Sequence, residues 1–195
     1  CTTAGCDGAG NCDQLHIDQC PVPLRHFQCY EMPREPFPTL AVSALDHFGP
    51  STLEVIRPKR LCNPANKNGE DPTAPSDKNH LTGYIIKQTT PHFRPIPNVQ
   101  ITNQFGMIVA TLTKPDYLFV PTAKDLNGPP GPLVNPAVDH FKCYKTSKAK
   151  QRVTGVAVED QFGPLVIDVK KPFHLCIPVD KNGEGILDAV AHLLC

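Results

Sequence analysis

A repeat of fixed length constrains this chain more than any other feature. Asp46-His47-Phe48-Gly49, Asn103-Gln104-Phe105-Gly106 and Asp160-Gln161-Phe162-Gly163 follow one another at intervals of 57 residues. A second anchor, Leu61-Cys62-Asn63-Pro64, Leu118-Phe119-Val120-Pro121 and Leu175-Cys176-Ile177-Pro178, keeps the same 57-residue interval. A third motif opens each copy: His26-Phe27-Gln28-Cys29-Tyr30, His80-Leu81-Thr82-Gly83-Tyr84 and His140-Phe141-Lys142-Cys143-Tyr144, with a fourth appearance at His192-Leu193-Leu194-Cys195. Self-similarity at a fixed period marks an architecture built from one repeated unit. Three periods of 57 take up 171 of the 195 residues and leave 24 at the N-terminus. The expected organisation is a Cys-rich cap over 1–24, a first β repeat over 25–79, a second over 80–138, and a third over 139–195 that ends in a closing strand.

Within the third copy, residues 152–159 alternate with a period near two and are rich in β-formers, the pattern of a strand. Asp160 to Gly163 supplies turn residues, Leu165 to Val169 reads as the returning strand of a hairpin, and Phe173 to Val179 as a third strand. Lys67-Asn68-Gly69-Glu70 and Lys181-Asn182-Gly183-Glu184 carry the Asn-Gly pair favoured where successive residues need positive φ. The second copy replaces that turn with Asn127-Gly128-Pro129-Pro130-Gly131-Pro132. The 22 prolines, each without a backbone donor, argue against long helices and for short strands. The expected fold is all-β: three tandem β-sandwich-like units, disulfide-stapled, each closed by the His-x-x-Cys strand of the next copy.

The nine cysteines lie at 1, 6, 12, 20, 29, 62, 143, 176 and 195. The second copy has Gly83 where the others have Cys29 and Cys143, and Phe119 where the others have Cys62 and Cys176. Joint loss of both positions is the mark of a disulfide, because half a bridge leaves an unpaired thiol. Cys29–Cys62 and Cys143–Cys176 are therefore the expected bridges, and the rival pairing to the next opening strand fits only Cys176 with Cys195. A unit of this size buries little apolar surface, and closing a 33-residue loop adds roughly 3–4 kcal/mol. Cys1, Cys6, Cys12, Cys20 and Cys195 remain as cap or intersubunit cysteines, an odd set that a two-fold symmetric bridge, a lipidated Cys1 or one free thiol would resolve. A chain that begins at cysteine resembles a processed lipoprotein, and residues 1–20 lack the basic-then-apolar pattern of a signal peptide, as in an already processed chain.

Balanced charge, 19 basic against 19 acidic residues, gives no footprint for nucleic acid or an acidic membrane. No apolar run reaches the 18 or so residues of a transmembrane helix. The cysteine spacings contain no C-x-x-C, so neither zinc nor haem attachment is expected. His26, His80, His140 and His192 occupy equivalent positions, which in successive units lie apart and suit structural hydrogen bonds better than a shared metal. Asp180, Asn182 and Glu184, or Asp7, Asn11 and Asp13, offer oxygens for weak calcium binding but miss the spacing of a specific calcium loop. No motif for nucleophilic or metal-assisted hydrolysis is present, and no catalytic residue or cofactor is assigned.

The motifs Asp139 to Lys145, Glu159 to Gly163 and Leu175 to Glu184 resemble those of an uncharacterised repeat domain of predicted secreted bacterial proteins, a likeness that covers about residues 24–195. The resemblance implies a bacterial, exported, repeat-built protein and carries over no activity. The expected function is a non-enzymatic structural subunit of an extracellular fibre or surface assembly, self-associating into a homopolymer. The alternative is a secreted or surface-anchored binding module for glycan or protein, with Tyr84, Tyr117 and Phe93 as an aromatic platform.

Overall fold

Each copy is organised around one turn. The side-chain oxygen of Asp46, Asn103 or Asp160 accepts the amide N–H two residues on, from Phe48, Phe105 or Phe162, at 2.8 Å in all three. The glycine that closes the turn has φ of 102° at Gly49, 109° at Gly106 and 111° at Gly163, a backbone conformation that excludes a side chain at little cost only for glycine. Three hairpins result: β4 (Leu40–Asp46) with β5 (Gly49–Lys67), β7 (Ile96–Asn103) with β8 (Gly106–Thr122), and β10 (Val153–Asp160) with β11 (Gly163–Val169). The remaining strands are β1 (Thr2–Cys6), β2 (Cys12–His16), β3 (His26–Glu31), β6 (His80–Thr90), β9 (Phe141–Ser147), β12 (His174–Pro178), β13 (Asp180–Lys181) and β14 (Leu193–Leu194). One 3-10 turn, Ala74–Ser76, interrupts the strands.

This computed structural model describes residues 24–147 and 149–195, together with the backbone of β1 and β2, which pair as an antiparallel hairpin. The expectations placed on Cys1, Cys6, Cys12, Cys20, Asp7, Asn11 and Asp13 lie outside the described residues. Among the described residues there is no α-helix, and every strand pair is antiparallel.

The described strands other than β1 and β2 form one twelve-stranded sheet. Its spine, β3-β5-β6-β8-β9-β12-β14, pairs each opening motif with the second anchor of its own copy, Cys29 opposite Cys62, Gly83 opposite Phe119, and Cys143 opposite Cys176. Each anchor then meets the opening motif that follows: Cys62 faces Leu81, Phe119 faces Phe141 and Cys176 faces Leu193. Matching motifs thus meet at matching places in the strand register, and β14 pairs with β12 at the end of the series.

Two expectations need correction. Strands are not uniformly short: β5 runs for 19 residues and β8 for 17, through Pro58 and Pro64 in one and Pro115 and Pro121 in the other. The pairing slips between Pro58 and Arg60 and again between Pro115 and Tyr117. Such bulges absorb a missing donor and let a strand continue past proline. In the third copy the strand breaks instead, and Pro172 lies between β11 and β12.

The second correction concerns how the copies meet. The first and third interlock, with Lys67 of β5 opposite Val158 of β10 and, each residue exchanged for its equivalent in the other copy, Lys181 of β13 opposite Ala44 of β4. Side chains repeat the exchange: Asn68 Oδ1 accepts the Ala157 N–H at 3.1 Å and Asn182 Oδ1 accepts the Ser43 N–H at 3.0 Å. This reciprocity is a pseudo-two-fold relation within one sheet. The core follows the rolled spine, where Leu81, Phe119, Phe141 and both disulfides pack with Leu24 and Phe27 from one end and Leu193 from the other.

Candidate functional site

The two disulfides stand at matched positions. Cys29–Cys62 and Cys143–Cys176 each join directly opposed residues of neighbouring strands across 33 residues of sequence. In the second copy a ring replaces the bridge, since a Cβ built on Gly83 would lie 2.6 Å from Phe119 Cε1. Gly83 and Phe119 therefore form one packing unit where the other copies have the bridge. Cys195 is the free thiol among the described residues and lines a cavity shared with Cys29 and Cys62.

That cavity, about 560 Å³, opens between the first and last strands of the spine and the ends of two hairpins. Phe27, Leu81, Ile101, Phe119, Val156 and Leu193 give it a largely apolar lining.

Polar chemistry collects at two buried places where the first and third copies exchange turns. At one, Lys142 Nζ lies 3.3 Å from Asp46 Oδ2 and donates to Ser51 Oγ at 2.8 Å, while the Tyr144 hydroxyl donates to Asp46 Oδ2. The Asp46 and Lys142 side chains are 0% and 2% exposed. Burial lowers the Lys142 ammonium and the Asp46 charge opposes that shift; burial and then Asp46 raise the Tyr144 hydroxyl.

At the other, Lys124 Nζ donates to Asn63 Oδ1 at 2.7 Å, and Asn63 Nδ2 donates to Asp160 Oδ2 at 2.9 Å. Asn63 and Asp160 are buried. Burial first, then the neighbouring Asp160 carboxylate, pushes the Tyr30 hydroxyl up to about 12. The Phe162 ring covers the Lys124 ammonium, 5.0 Å from ring centre to nitrogen, and packs edge-on against Tyr30.

Lys124 is here because of what the second copy lost. Its equivalents, Lys67 and Lys181, are held by Glu70 and Glu184 of the Lys-Asn-Gly-Glu turns. The proline-rich loop that replaces this turn has no glutamate, and Lys124 reaches Asn63 instead. Neither cluster was assigned from sequence. The available signal was polar residues set within apolar strands, Lys142 between Phe141 and Cys143 and Asn63 between Cys62 and Pro64.

The repeated histidines divide. His26 and His140 pair with Glu70 and Glu184 at 2.9 and 2.8 Å, and His192 Nδ1 bonds the Val190 carbonyl at 2.7 Å. His80 is 4% exposed, and its Nδ1 has no partner among the described residues. Burial first, then the Lys124 charge, lowers it from 6.5 to about 4. An unfolded imidazole takes up its proton near 6.5 and the folded one only near 4, so this contribution to stability is complete above pH 6.5. It is lost as pH falls towards 4, by about 3 kcal/mol. His80→Gln should therefore flatten the fall of the urea midpoint between about pH 7 and about pH 4.5. An unchanged slope would place the acid sensitivity elsewhere.

The remaining sequence candidates do not converge. Tyr84 packs on Phe37, Tyr117 on Phe119 and Phe93 on Tyr144, in three separate clusters, so the aromatic platform does not form. Asp180 accepts the Gly185 N–H, Asn182 the Ser43 N–H, and Glu184 pairs with Lys181 and His140. Those loop oxygens are used within the protein. Among the described residues no group of three metal-ligating side chains is gathered, and no helix is long and apolar enough to cross a membrane.

These features define an all-β, disulfide-stapled repeat protein, and two bridges suit an oxidising environment. Residues 80–185, more than half of the chain, match the family described as a repeat of unknown function (DUF7450), and the chain belongs to that family. Neither curated proteins nor solved structures include a match to it.

Proposed function

We propose that the protein is a non-enzymatic structural subunit of an extracellular bacterial fibre or surface assembly, in which three copies of one 57-residue unit form a single sheet that joins to the next molecule edge to edge. The observation that carries this reading is the free edge at β11. Among the described residues this strand pairs only with β10, and Leu165 and Val166 on it are 44% and 75% exposed. Long edges with exposed apolar residues are templates for another strand unless blocked by charge, proline or cover. Among the described residues a second edge is free at β7, which pairs only with β8. Two different free edges on one molecule favour a heterologous contact, which propagates as an open filament instead of closing as a dimer. The partner is thus a second copy of this chain, and Cys195, the free thiol among the described residues, is a candidate for a contact between subunits.

Light scattering of the full chain over a concentration series, without reductant, tests the reading. The expected result is mass that grows with concentration well beyond the 21.3 kDa monomer, and reverts to monomer in Val166→Lys, whose charge blocks the edge. A wild-type chain that stays monomeric throughout would overturn it. The apolar cavity favours a second reading, a binding module, but for an apolar small molecule and not for a glycan, which needs polar contacts and aromatic faces.

A further inference from the structure

We propose that Lys124 and Asn63 become joined by an intramolecular isopeptide bond, with Asp160 as the proton carrier. The cluster has the parts such a reaction needs. The amine nitrogen lies 2.7 Å from the amide oxygen of Asn63, beside the carbonyl carbon it would attack. The leaving nitrogen, Asn63 Nδ2, is held 2.9 Å from a carboxylate oxygen of Asp160. Asn63 and Asp160 are buried and the Phe162 ring lies over the Lys124 nitrogen, so water competes poorly for the amide carbon. Burial lowers the Lys124 pKa and so favours the neutral, nucleophilic amine.

The chemistry balances without a co-reactant. The Lys124 ammonium gives a proton to the Asp160 carboxylate. Its neutral Nζ attacks Asn63 Cγ, forming the Nζ–Cγ bond. Asp160 returns the proton to Nδ2, the Cγ–Nδ2 bond breaks, and ammonia departs, leaving as ammonium with the second proton from Nζ. No atom changes oxidation state, and the product is a secondary amide between β5 and the segment after β8.

The pseudo-two-fold partner of this cluster shows what is particular about it. At Asp46 the lysine, Lys142, faces the carboxylate directly, with no amide between them. Asn63 has Ile177 as its equivalent in the third copy. Only the Asp160 cluster therefore combines amine, amide and carboxylate in series. The bond would tie the first copy to the second, which lacks a disulfide of its own, and would persist under reducing conditions.

Intact mass spectrometry of the full chain, reduced and alkylated, provides the test. The expected mass is lower by about 17 Da, the loss of one ammonia, than the alkylated sequence requires. Trypsin should yield residues 61–67 linked to 88–142, because Lys124 no longer presents a cleavable side chain and Lys114 precedes proline. Lys124→Arg, which keeps the charge, should restore the full mass, and Asp160→Asn should leave most of the protein unlinked. Full mass in the wild type, with 61–67 recovered alone, would overturn the proposal. So would a 17 Da deficit that survives in Lys124→Arg, since succinimide formation at an asparagine loses the same ammonia.

Discussion

Lys142→Met should cost about 3–5 kcal/mol of unfolding free energy, the usual penalty for removing one partner of a buried ion pair. The Asp46 side chain is wholly buried and would keep its charge with only the Tyr144 hydroxyl and the Phe48 amide to stabilise it. Ser51, which now accepts a hydrogen bond from Lys142 at 2.8 Å, would lose that partner as well. Methionine fills most of the vacated volume, so the loss reports electrostatics and not a cavity. Lys142→Met combined with Asp46→Asn should recover much of the stability, because asparagine can still accept the Phe48 N–H in the turn, as Asn103 does for Phe105. Urea titration of the wild type, both single variants and the double variant measures the coupling. A single-variant loss below about 1 kcal/mol would mean that water reaches the pair.

That network also marks the boundary of what the sequence discloses. The hairpin β10–β11 and the strand β12 were legible because alternation and turn chemistry are local, and Asp160-Gln161-Phe162-Gly163 specifies its turn with its own side chain. The pairing of Cys29 with Cys62 and of Cys143 with Cys176 was legible for another reason: Gly83 and Phe119 record the absence of both partners at once. Continuation of β5 and β8 through proline was hidden, because a bulge is decided by the neighbouring strand. The contact of Asp46 with Tyr144 joins residues 98 apart, and that of Asn63 with Asp160 residues 97 apart. Both depend on the first and third copies exchanging turns, which a repeat read as separate units does not anticipate. Lys124 was obscured for a related reason, since its role follows from a glutamate missing in the second copy.

Loss of the Cys29–Cys62 bridge should be the second large effect. Its 33-residue loop predicts a stabilisation of about 3–4 kcal/mol from restriction of the unfolded chain. Cys29→Ala and Cys62→Ala should each forfeit that amount, and the double variant should add little, because the bridge is gone once either sulfur is removed. Cys195 lines the same cavity as both cysteines, so a thiol left unpaired in a single variant could be oxidised with it by dissolved oxygen to a substitute bridge. The cycle is therefore built on Cys195→Ala, in which neither single variant can form a substitute bridge there. Guanidinium titration without reductant gives the four free energies, and a near-equal loss in both singles and the double is the expected pattern. Additive losses would instead mean that each cysteine contributes through its own packing. Because β3 is joined to the sheet, among the described residues, only through β5, the lost constraint falls on the strand at one end of the rolled spine, so local opening there should expose the apolar cavity before the rest of the sheet unfolds.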